Sequence, residues 1–254
     1  MGQMIRSRKT IWAFCKDPGG ANAVVPVVKY LRRLGHRVDF YCDGRPARKI
    51  LELAGISYIV YSSARAIINR PERPSLIITS MNSGGGLGYE TAKLLRKEKC
   101  FYPLVLISDF WGLRDIDTKI EVRPDYVCVS DRIGREVALK TWPKLGRDRV
   151  FITGYPALDK YKNFKTAAVA KKTRARLKID SDLPTVLFCG QLNYSGRALR
   201  ELMKALGELD QRVNLIARPH PRMRRDAAKE WKIWQKTLGD FRSGKLINGA
   251  RYKI

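Results

Sequence analysis

Side chains capable of acid–base chemistry follow the apolar segments that the sequence predicts to be β-strands. Asp109 comes directly after "YPLVLIS" and precedes Phe110 and Trp111 in the stretch "SDFWG". A carboxylate beside aromatic rings is partly desolvated, which raises its pKa towards the range of a general base. The pattern predicts Asp109 as a catalytic base and Trp111 as a ring that stacks on a sugar. The alternative is an Asp109 that caps a turn while both rings pack in a core.

A histidine and two arginines follow a later apolar segment. In "ARPHPR", His220 lies between Pro219 and Pro221, with Arg218 and Arg222 on either side. The prolines restrict the backbone and hold the imidazole in place. Guanidinium groups bind the oxygens of a pyrophosphate through charge-assisted hydrogen bonds. We therefore expect this segment to contact an anionic ligand, with a purely structural histidine as the alternative.

Two glycines stand where the first helix is expected to begin. The stretch "DPGGANAVVPVV", residues 17–28, follows the apolar segment "TIWAFCK". Glycine lets a ligand approach the unpaired N–H groups of a helix N-terminus. Gly19, Gly20 and Asn22 are therefore candidates for contact with a sugar or a phosphate. A tight turn in which Asn22 caps the helix explains the same residues without a ligand.

Two further loops contain glycines in front of predicted helices. In "CGQLNYSGRALREL", Gly190 and Gly196 flank a polar loop, and Ser195 is expected to cap a helix that begins near Arg197. This arrangement predicts an anion-binding helix N-terminus. The glycine-rich stretch 84–88 in "TSMNSGGGLGYE" fits an anion nest and a surface loop equally well.

These residues belong to an alternating pattern of short apolar segments and amphipathic helices. The apolar segments are TIWAFC, RVDFYC, SYIVY, SLIITS, YPLVLIS, DYVCVS and RVFITG. Helical spacing separates several of them, as in "ANAVVPVVKYLRRLG" with Val24, Val28 and Leu31 on one face. Continuous apolar strands between helices indicate a parallel sheet covered on both faces. Residues 1–163 are therefore predicted to form a doubly wound, Rossmann-like α/β domain.

The pattern restarts after a basic segment. Residues 164–183 contain "KTAAVAKKTRARLKI" and are predicted to be a basic helical linker. Residues 184–254 begin a second α/β unit with the strands TVLFCG and VNLIARPHP and the helices RALRELMKALGEL and RDAAKEWKIWQKTLGDF. After Phe241 no further strand–helix pair is predicted. Two βα units do not bury a parallel sheet alone, so either they extend the first sheet or the chain is a fragment of a longer one. We favour the fragment, and therefore expect an incomplete domain with uncovered apolar surface.

The net charge of +26 restricts the range of partners. Residues 1–163 carry 29 Lys and Arg against 16 Asp and Glu, and residues 164–254 carry 21 against 8. Such a surface attracts nucleotides, anionic glycans and phospholipid head groups, which allows peripheral contact with a membrane. Dedicated nucleic-acid binding is not favoured, because no motif that interleaves aromatic and basic residues accompanies the charge.

Cysteine usage and hydropathy indicate an intracellular protein. The five cysteines include no CxxC pair, and four lie in predicted strands, which is typical of buried free thiols: Cys15, Cys42, Cys128 and Cys189. Only His36 and His220 are available as imidazole ligands, so no metal site is predicted. No stretch reaches the roughly 20 apolar residues of a membrane span, and no signal peptide is recognised.

The order of these motifs resembles the GT-B superfamily of nucleotide-sugar glycosyltransferases. Within it, the chain is most similar to UDP-N-acetylglucosamine 2-epimerase-like and CDP-glycerol glycerophosphotransferase-like proteins. The resemblance rests on "GGANAVVPVVKYLRRLGHRVDFY", "RPDYVCVSD" followed by "DRVFITGYPALDKY", "VLFCGQLNYSG" and "ARPHPR". It covers nearly the whole chain. Two departures are that "SDFWGLRD" stands where an epimerase has a histidine-and-glutamate stretch, and that the loops holding the nucleotide base are expected later than Ile254.

The resemblance implies metal-independent transfer, without a cofactor, of a glycosyl or glycerophosphoryl group from a nucleotide-sugar or CDP-glycerol-type donor. The implied acceptor is an anionic cell-envelope glycan, polymer or lipid-linked molecule, and the implied location is the cytoplasm or the inner face of the membrane. Asp109 would be the acceptor base. The implied donor diphosphate site comprises Gly190, Ser195, Gly196, Arg218, His220 and Arg222. The implied acceptor or sugar site comprises Gly19, Gly20, Asn22 and Trp111.

Two other functions remain open from the sequence. The first is a sugar-nucleotide 2-epimerase, which requires carboxylates around the sugar that the sequence does not identify. The second is a non-catalytic basic α/β binding module or a truncated remnant of an enzyme.

Overall fold

The computed structural model describes residues 8–81, 86–109, 111, 122–242 and 251–253. The chain divides into two compact units, Met1–Asn163 and Phe164–Ile254. Each unit contains its own β-sheet. Phe110 lies outside the described residues, as do positions 84 and 85 of the glycine-rich stretch 84–88.

The sheet of the first unit has the strand order β2-β1-β3-β4-β5-β6, and all neighbouring strands are parallel. Its strands are β1 (Thr10–Cys15), β2 (Arg37–Cys42), β3 (Leu76–Ser80), β4 (Leu104–Ile107), β5 (Tyr126–Val129) and β6 (Val150–Ile152). Its helices are α1 (Pro18–Arg33), α2 (Arg45–Leu53), α3 (Ala64–Ile68), α4 (Leu87–Lys97) and α5 (Arg132–Thr141), with 3-10 turns at Arg147–Arg149 and Pro156–Tyr161. The predicted parallel α/β fold is confirmed.

Alternate residues of β1 enter two separate cores. Trp12 and Phe14 pack with residues of α3, α4 and α5. Ile11, Ala13 and Cys15 pack with residues of α1 and α2. Because both faces of the strand are covered by helices, both sets of alternating side chains are apolar, and the strand reads as a continuous apolar run.

The segment "SYIVY" does not form the strand that its composition predicts. Ile59 makes a single parallel bridge to Tyr41 at the outer edge of β2. The chain then turns into α3, whose N-cap Ser63 accepts a hydrogen bond from the backbone N–H of Ala66 at 3.3 Å. The early start of this short helix, which the sequence analysis missed, ends the strand after one bridge.

Helix α1 begins four residues before Asn22. Pro18 occupies its first turn, where the absence of an N–H group costs nothing and the fixed φ angle suits the helix. The prediction that Asn22 caps the helix is therefore wrong, because Asn22 lies in the second turn.

The second unit contains a parallel sheet of the order β7-β8-β9 among its described residues. Its strands are β7 (Thr185–Cys189), β8 (Asn214–Arg218) and β9 (Arg251–Lys253), and its helices are α6 (Thr166–Leu177), α7 (Ser195–Gly207), α8 (Met223–Asp226) and α9 (Ala228–Arg242). A further strand that was not predicted from the sequence, β9, pairs with the free edge of β8. The last predicted helix is also divided, into α8 and α9.

The sheet of the second unit has one covered and one open face at β7. Val186 and Phe188 pack against the core around Trp234. Leu187, which points to the opposite face, is 60% exposed, and Cys189 on the same face is also exposed. The second unit therefore has the uncovered apolar surface expected of an incomplete α/β domain. The prediction that Cys189 is buried is wrong for the same reason.

The other cysteines differ in burial as well. Cys15 and Cys42 are buried free thiols, whereas Cys100 and Cys128 are half-buried.

No helix in the described ranges is both long enough and apolar enough to cross a lipid bilayer.

Candidate active site

The candidate site of the first unit lies at the carboxyl ends of β1, β3 and β4. From β1 the chain moves outward to β2, and it returns on the other side of β1 as β3. This reversal of strand order is a topological switch point, and ligands of open α/β sheets bind in the crevice that forms there. Gly19 follows β1 and Ser80 ends β3, the two strands that border this point, and Asp109 follows the adjacent strand β4.

Gly19 and Gly20 bring the N-terminus of α1 into direct contact with the neighbouring strand ends. A Cβ atom at Gly19 would overlap Asp109 Oδ2, and one at Gly20 would lie 2.6 Å from Ser80 Cβ. Close packing therefore accounts for glycine at both positions without a ligand, and most strictly at Gly20, where Ser80 Cβ is the neighbour. The packing also sets the carboxylate of Asp109 against the first turn of α1.

Asp109 has a carboxyl group in an unusual environment. Its Oδ1 atom is buried and has no hydrogen-bond partner among the described residues. Burial raises the pKa of Asp109 to about 6, and the negative charge of Asp17 adds to this increase, whereas a hydrogen bond from its own backbone N–H opposes it. A carboxylate destabilised in this way is a stronger base than a solvated one.

Tyr155 joins the site from the loop that follows β6. Its hydroxyl donates a hydrogen bond to the backbone oxygen of Gly19 at 3.3 Å. Burial raises the pKa of Tyr155, and the charge of Asp109 adds to the increase, so the phenol and the carboxylate are neighbours. Tyr155 was not predicted from the sequence. The available signal was its position in "TGYP", directly after a predicted strand.

Two more carboxylates belong to the same edge of the sheet. Asp17 follows β1 and Asp43 follows β2. Burial raises the pKa of Asp43, and Asp17 contributes to the increase, while hydrogen bonds from the backbone N–H groups of Asp43 and Leu87 oppose it. Across the parts of the chain that the structure describes, no group of three or more His, Cys, Asp and Glu residues is arranged to hold a metal ion.

Trp111 contacts Asp131, and Asn22 lines a groove on another side of α1. The Trp111 indole N–H is 3.0 Å from both carboxylate oxygens of Asp131, the N-cap residue of α5, and the side chain is 56% exposed. Asn22 lines a groove of about 510 Å³ between α1, α2 and the turn Pro156–Tyr161. The ring of Trp111 is accessible for stacking, whereas Asn22 faces the groove.

In the second unit, an internal carboxylate occupies the N-terminus of α7. Glu230 of α9 accepts hydrogen bonds from the backbone N–H groups of Gly196 at 2.8 Å and Tyr194 at 3.2 Å. A carboxylate of the protein itself therefore takes up N–H groups that the sequence analysis assigned to an anionic ligand. Glu230 was not predicted from the sequence, because it lies 34 positions from Gly196.

Ser195 and the flanking glycines have packing roles in this loop. The helix begins at Ser195, with Tyr194 as the N-cap residue, so the prediction that Ser195 caps a helix starting near Arg197 is wrong. Its hydroxyl donates to the backbone oxygen of Gln191 at 2.7 Å and accepts from the indole of Trp234 at 3.1 Å. A Cβ atom at Gly190 would lie 2.8 Å from Trp234 Cη2, and one at Gly196 would lie 2.6 Å from a methyl group of Ile233.

The basic segment 218–222 follows β8. The Nδ1 atom of His220 accepts a hydrogen bond from the backbone N–H of Arg222 at 3.2 Å, so its Nε2 atom carries the ring proton and can donate to a ligand. Arg218 is exposed at the end of the strand. The guanidinium of Arg222 pairs with Asp226 at 2.5 Å. The half-buried His220 is thus oriented by a backbone hydrogen bond in addition to its prolines.

The fold recurs in solved structures of nucleotide-sugar enzymes. A glycosyltransferase from Rickettsia africae matches with a TM-score of 0.64 and 14% identity over 98% of this chain and 69% of its own. HepE from Anabaena in complex with UDP-glucose matches with a TM-score of 0.62 and 13% identity over 97% and 69%. UDP-GlcNAc 2-epimerase from Neisseria meningitidis bound to UDP-GlcNAc matches with a TM-score of 0.60 and 11% identity over 96% and 71%.

These matches establish a GT-B-like fold, in agreement with the resemblance seen in the sequence. Identities of 11–14% establish the fold alone. No protein-family model matches the sequence, and no curated protein is significantly similar to it.

Proposed function

We propose that this chain transfers a glycosyl or glycerophosphoryl group from a nucleotide-activated donor to a hydroxyl-bearing acceptor. The proposal is carried by the half-buried Asp109 beside the switch point of the sheet, whose Oδ1 lacks a partner among the described residues. A general base needs a pKa close to the working pH, and the pKa of about 6 for Asp109 meets this requirement. The fold supports the donor class, because similar structures hold UDP-glucose and UDP-GlcNAc.

In the proposed reaction, Asp109 accepts the proton of an acceptor hydroxyl. The acceptor oxygen forms a bond to the anomeric carbon of the sugar, and the nucleoside diphosphate leaves with the electron pair of the broken bond. With a glycerophosphoryl donor, the new bond forms at phosphorus and a nucleoside monophosphate leaves. Tyr155 acts as a positioning residue, because its bond to Gly19 holds the first turn of α1 against the base.

Arg218 and His220 are proposed to bind the donor diphosphate. Arg218 is exposed, and His220 presents an N–H donor. Such preorganised cations and donors stabilise a leaving diphosphate without a metal ion. Arg222 contributes less, because its guanidinium already pairs with Asp226. Gly190, Ser195 and Gly196 are not part of the proposed diphosphate site. In this loop the N–H of Gly196 donates to Glu230, and the hydroxyl of Ser195 accepts from Trp234.

Nucleotide release from UDP-glucose, UDP-N-acetylglucosamine and CDP-glycerol tests this proposal, with and without glycan acceptors. We expect Asp109→Asn to reduce turnover by about 10²–10⁴-fold with little change in donor affinity. His220→Ala should weaken donor binding by about ten- to a hundredfold, the worth of one charge-assisted contact. Asp148→Asn, at an exposed site, is the control. Equal turnover in Asp109→Asn and the control would refute the role of Asp109, and donor binding without turnover would indicate a non-catalytic module.

A sugar-nucleotide 2-epimerase is the second candidate. It is favoured by Asp17 and Asp43, which join Asp109 at one edge of the sheet, since epimerisation requires acid and base groups around the sugar. Incubation of UDP-N-acetylglucosamine in D₂O without an acceptor separates the two reactions. An epimerase exchanges the hydrogen at C2 for deuterium, whereas a transferase leaves C2 unlabelled.

We further propose that α6 brings the chain to an anionic membrane surface, where a lipid-linked cell-envelope acceptor would be available to a cytoplasmic enzyme. The helix has no buried residue, and its polar surface includes exposed Lys171, Lys172 and Arg176. Each lysine or arginine that lies near an anionic bilayer contributes about 1 kcal/mol to the free energy of membrane binding. We expect the chain to co-sediment with phosphatidylglycerol vesicles and not with phosphatidylcholine vesicles. Replacement of these three residues by glutamine should reduce binding to the phosphatidylglycerol vesicles. Equal binding to both vesicle types would exclude the electrostatic mechanism.

A further inference from the structure

A second cavity of the first unit lies at the opposite edge of the sheet from Asp109. It has a volume of about 400 Å³ and lies at the amino ends of β4, β5 and β6. We call it the arginine pocket and define it by Arg96, Phe101, Arg123, Asp125, Tyr126 and Arg149. Its volume is within the range of small-molecule sites, and it has no part in the proposed transfer reaction.

One ion pair forms a rigid wall of the arginine pocket. Arg96 donates to Asp125 Oδ2 at 2.7 Å and to the backbone oxygen of Arg123 at 2.9 Å. Asp125 Oδ2 also accepts from the backbone N–H of Leu104 at 2.8 Å, which ties the pair to the start of β4. The charge of Arg96 is therefore neutralised, and its side chain is held in place.

The charges of Arg123 and Arg149 are not neutralised in this way. Arg123 donates one hydrogen bond to the backbone oxygen of Lys144 at 2.9 Å, which orients its guanidinium. Arg149 lies over the ring of Tyr126 at 5.4 Å from the centroid. Neither pairs with a carboxylate in the described ranges. Two oriented cations thus line one cavity, an arrangement that attracts an anion.

The arginine pocket also contains an apolar ring and a planar cation on which an aromatic group can stack. Phe101 lines it with 74% of its surface exposed, although a large apolar side chain gains free energy from burial. Arg149 is exposed as well as lying over Tyr126, and a guanidinium group can stack on a flat ring. An aromatic group therefore finds stacking partners beside the cations.

We infer that the arginine pocket binds a small anion carrying an aromatic ring, of the nucleotide class. The phosphate pairs with Arg123 and Arg149, and the base stacks on Phe101 and on the guanidinium of Arg149. The site is independent of the proposed donor contacts, because it contains neither Arg218 nor His220.

Titration calorimetry of the full chain with AMP, adenosine and inorganic phosphate tests this inference. We expect AMP to bind at least tenfold more tightly than either fragment. Arg123→Gln and Arg149→Gln should each weaken AMP binding by about tenfold or more, the worth of one charge-assisted hydrogen bond. The matched control is Arg33→Gln, which removes another exposed arginine that stacks on a tyrosine, Tyr30, at 5.7 Å.

Several results would overturn the inference. These are the absence of AMP binding at millimolar concentration, inorganic phosphate binding as tightly as AMP, or an equal loss of binding in Arg33→Gln and Arg149→Gln. A loss of AMP binding in His220→Ala with full binding in Arg149→Gln would place AMP at the proposed donor contacts instead. Phe101→Ala, at an exposed position, supplies a variant that is expected to fold and to bind AMP less tightly.

Discussion

Replacement of Asp109 by asparagine should stabilise the folded chain at neutral pH and not in acid. Burial raises the pKa of Asp109 from its ordinary value of 3.8 to about 6. The folded state therefore binds the proton more tightly than the unfolded state, and the free energy of unfolding falls as the pH rises from about 3.8 to about 6. Above pH 6 the whole cost of the buried charge is present, and Asp109→Asn removes it without changing the side-chain shape.

The size of the effect follows from the pKa. At about 1.4 kcal/mol per pKa unit, the full difference corresponds to about 3 kcal/mol. Because the carboxyl group is only half-buried, solvent screens part of this cost, and we expect a gain of about 1–2 kcal/mol. For a unit of the size of Met1–Asn163 this raises the melting temperature by about 2–8 °C.

Differential scanning calorimetry at pH 8 and pH 4 measures the effect. The variant should melt above the wild type at pH 8, and the difference should shrink at pH 4, where the wild-type carboxyl group is protonated. Asp148→Asn, at an exposed site, should show no such dependence. If Asp109→Asn destabilises the chain equally at both pH values, the carboxylate makes a stabilising contact and is not a destabilised base.

Three further predictions concern Gly20, Glu230 and the pH dependence of turnover. Gly20→Ala should lower the free energy of unfolding by about 1–3 kcal/mol in urea titrations, because its methyl group would meet Ser80, and no change would contradict the close packing. Glu230→Ala should lower the free energy of unfolding by about 1–3 kcal/mol, because it removes the hydrogen bonds to the N-terminus of α7, including that from Gly196. Glu230→Gln keeps one acceptor oxygen and should lower the free energy of unfolding less in the same titration. Donor turnover should rise with pH through about 6 and then level off, as Asp109 loses its proton; a pH-independent rate from pH 5 to 8 would remove Asp109 as the base.

The strand–helix rhythm of the first unit was predictable because it depends on local composition. Segments such as "TIWAFC" are apolar on both faces of the strand, and the observed β1 packs into a core on each face. The short α3 was not predictable from the same information. Its onset at Ser63 reduces "SYIVY" to one bridge, and this competition between a cap and a strand edge is decided by the tertiary contacts of Ile67 and Ile68.

Part of the candidate site was also predictable. Asp109 was identifiable because a polar residue at the end of a buried strand must lie at the edge of the sheet where ligands bind. Its partners were not identifiable, because Tyr155 approaches Gly19 across 136 positions of the chain. The same distance effect hid Glu230, whose carboxylate fills the helix terminus that the sequence offers to a ligand.

By itself, the sequence determined the elements, the parallel sheets and the residues at their strand ends, because these follow from hydrophobic periodicity and from the chemistry of glycine and proline. Only the tertiary structure decided which of those residues have polar groups available to a ligand and which are occupied by contacts within the protein. Gly19 and Gly20 are explained by the overlap that any side chain there would have with Asp109 and Ser80. The pKa of Asp109 depends on burial and on the charge of Asp17, both of which arise when β1 and β4 bring distant segments together. Burial and long-range charge are properties of the folded packing, and local sequence does not contain them.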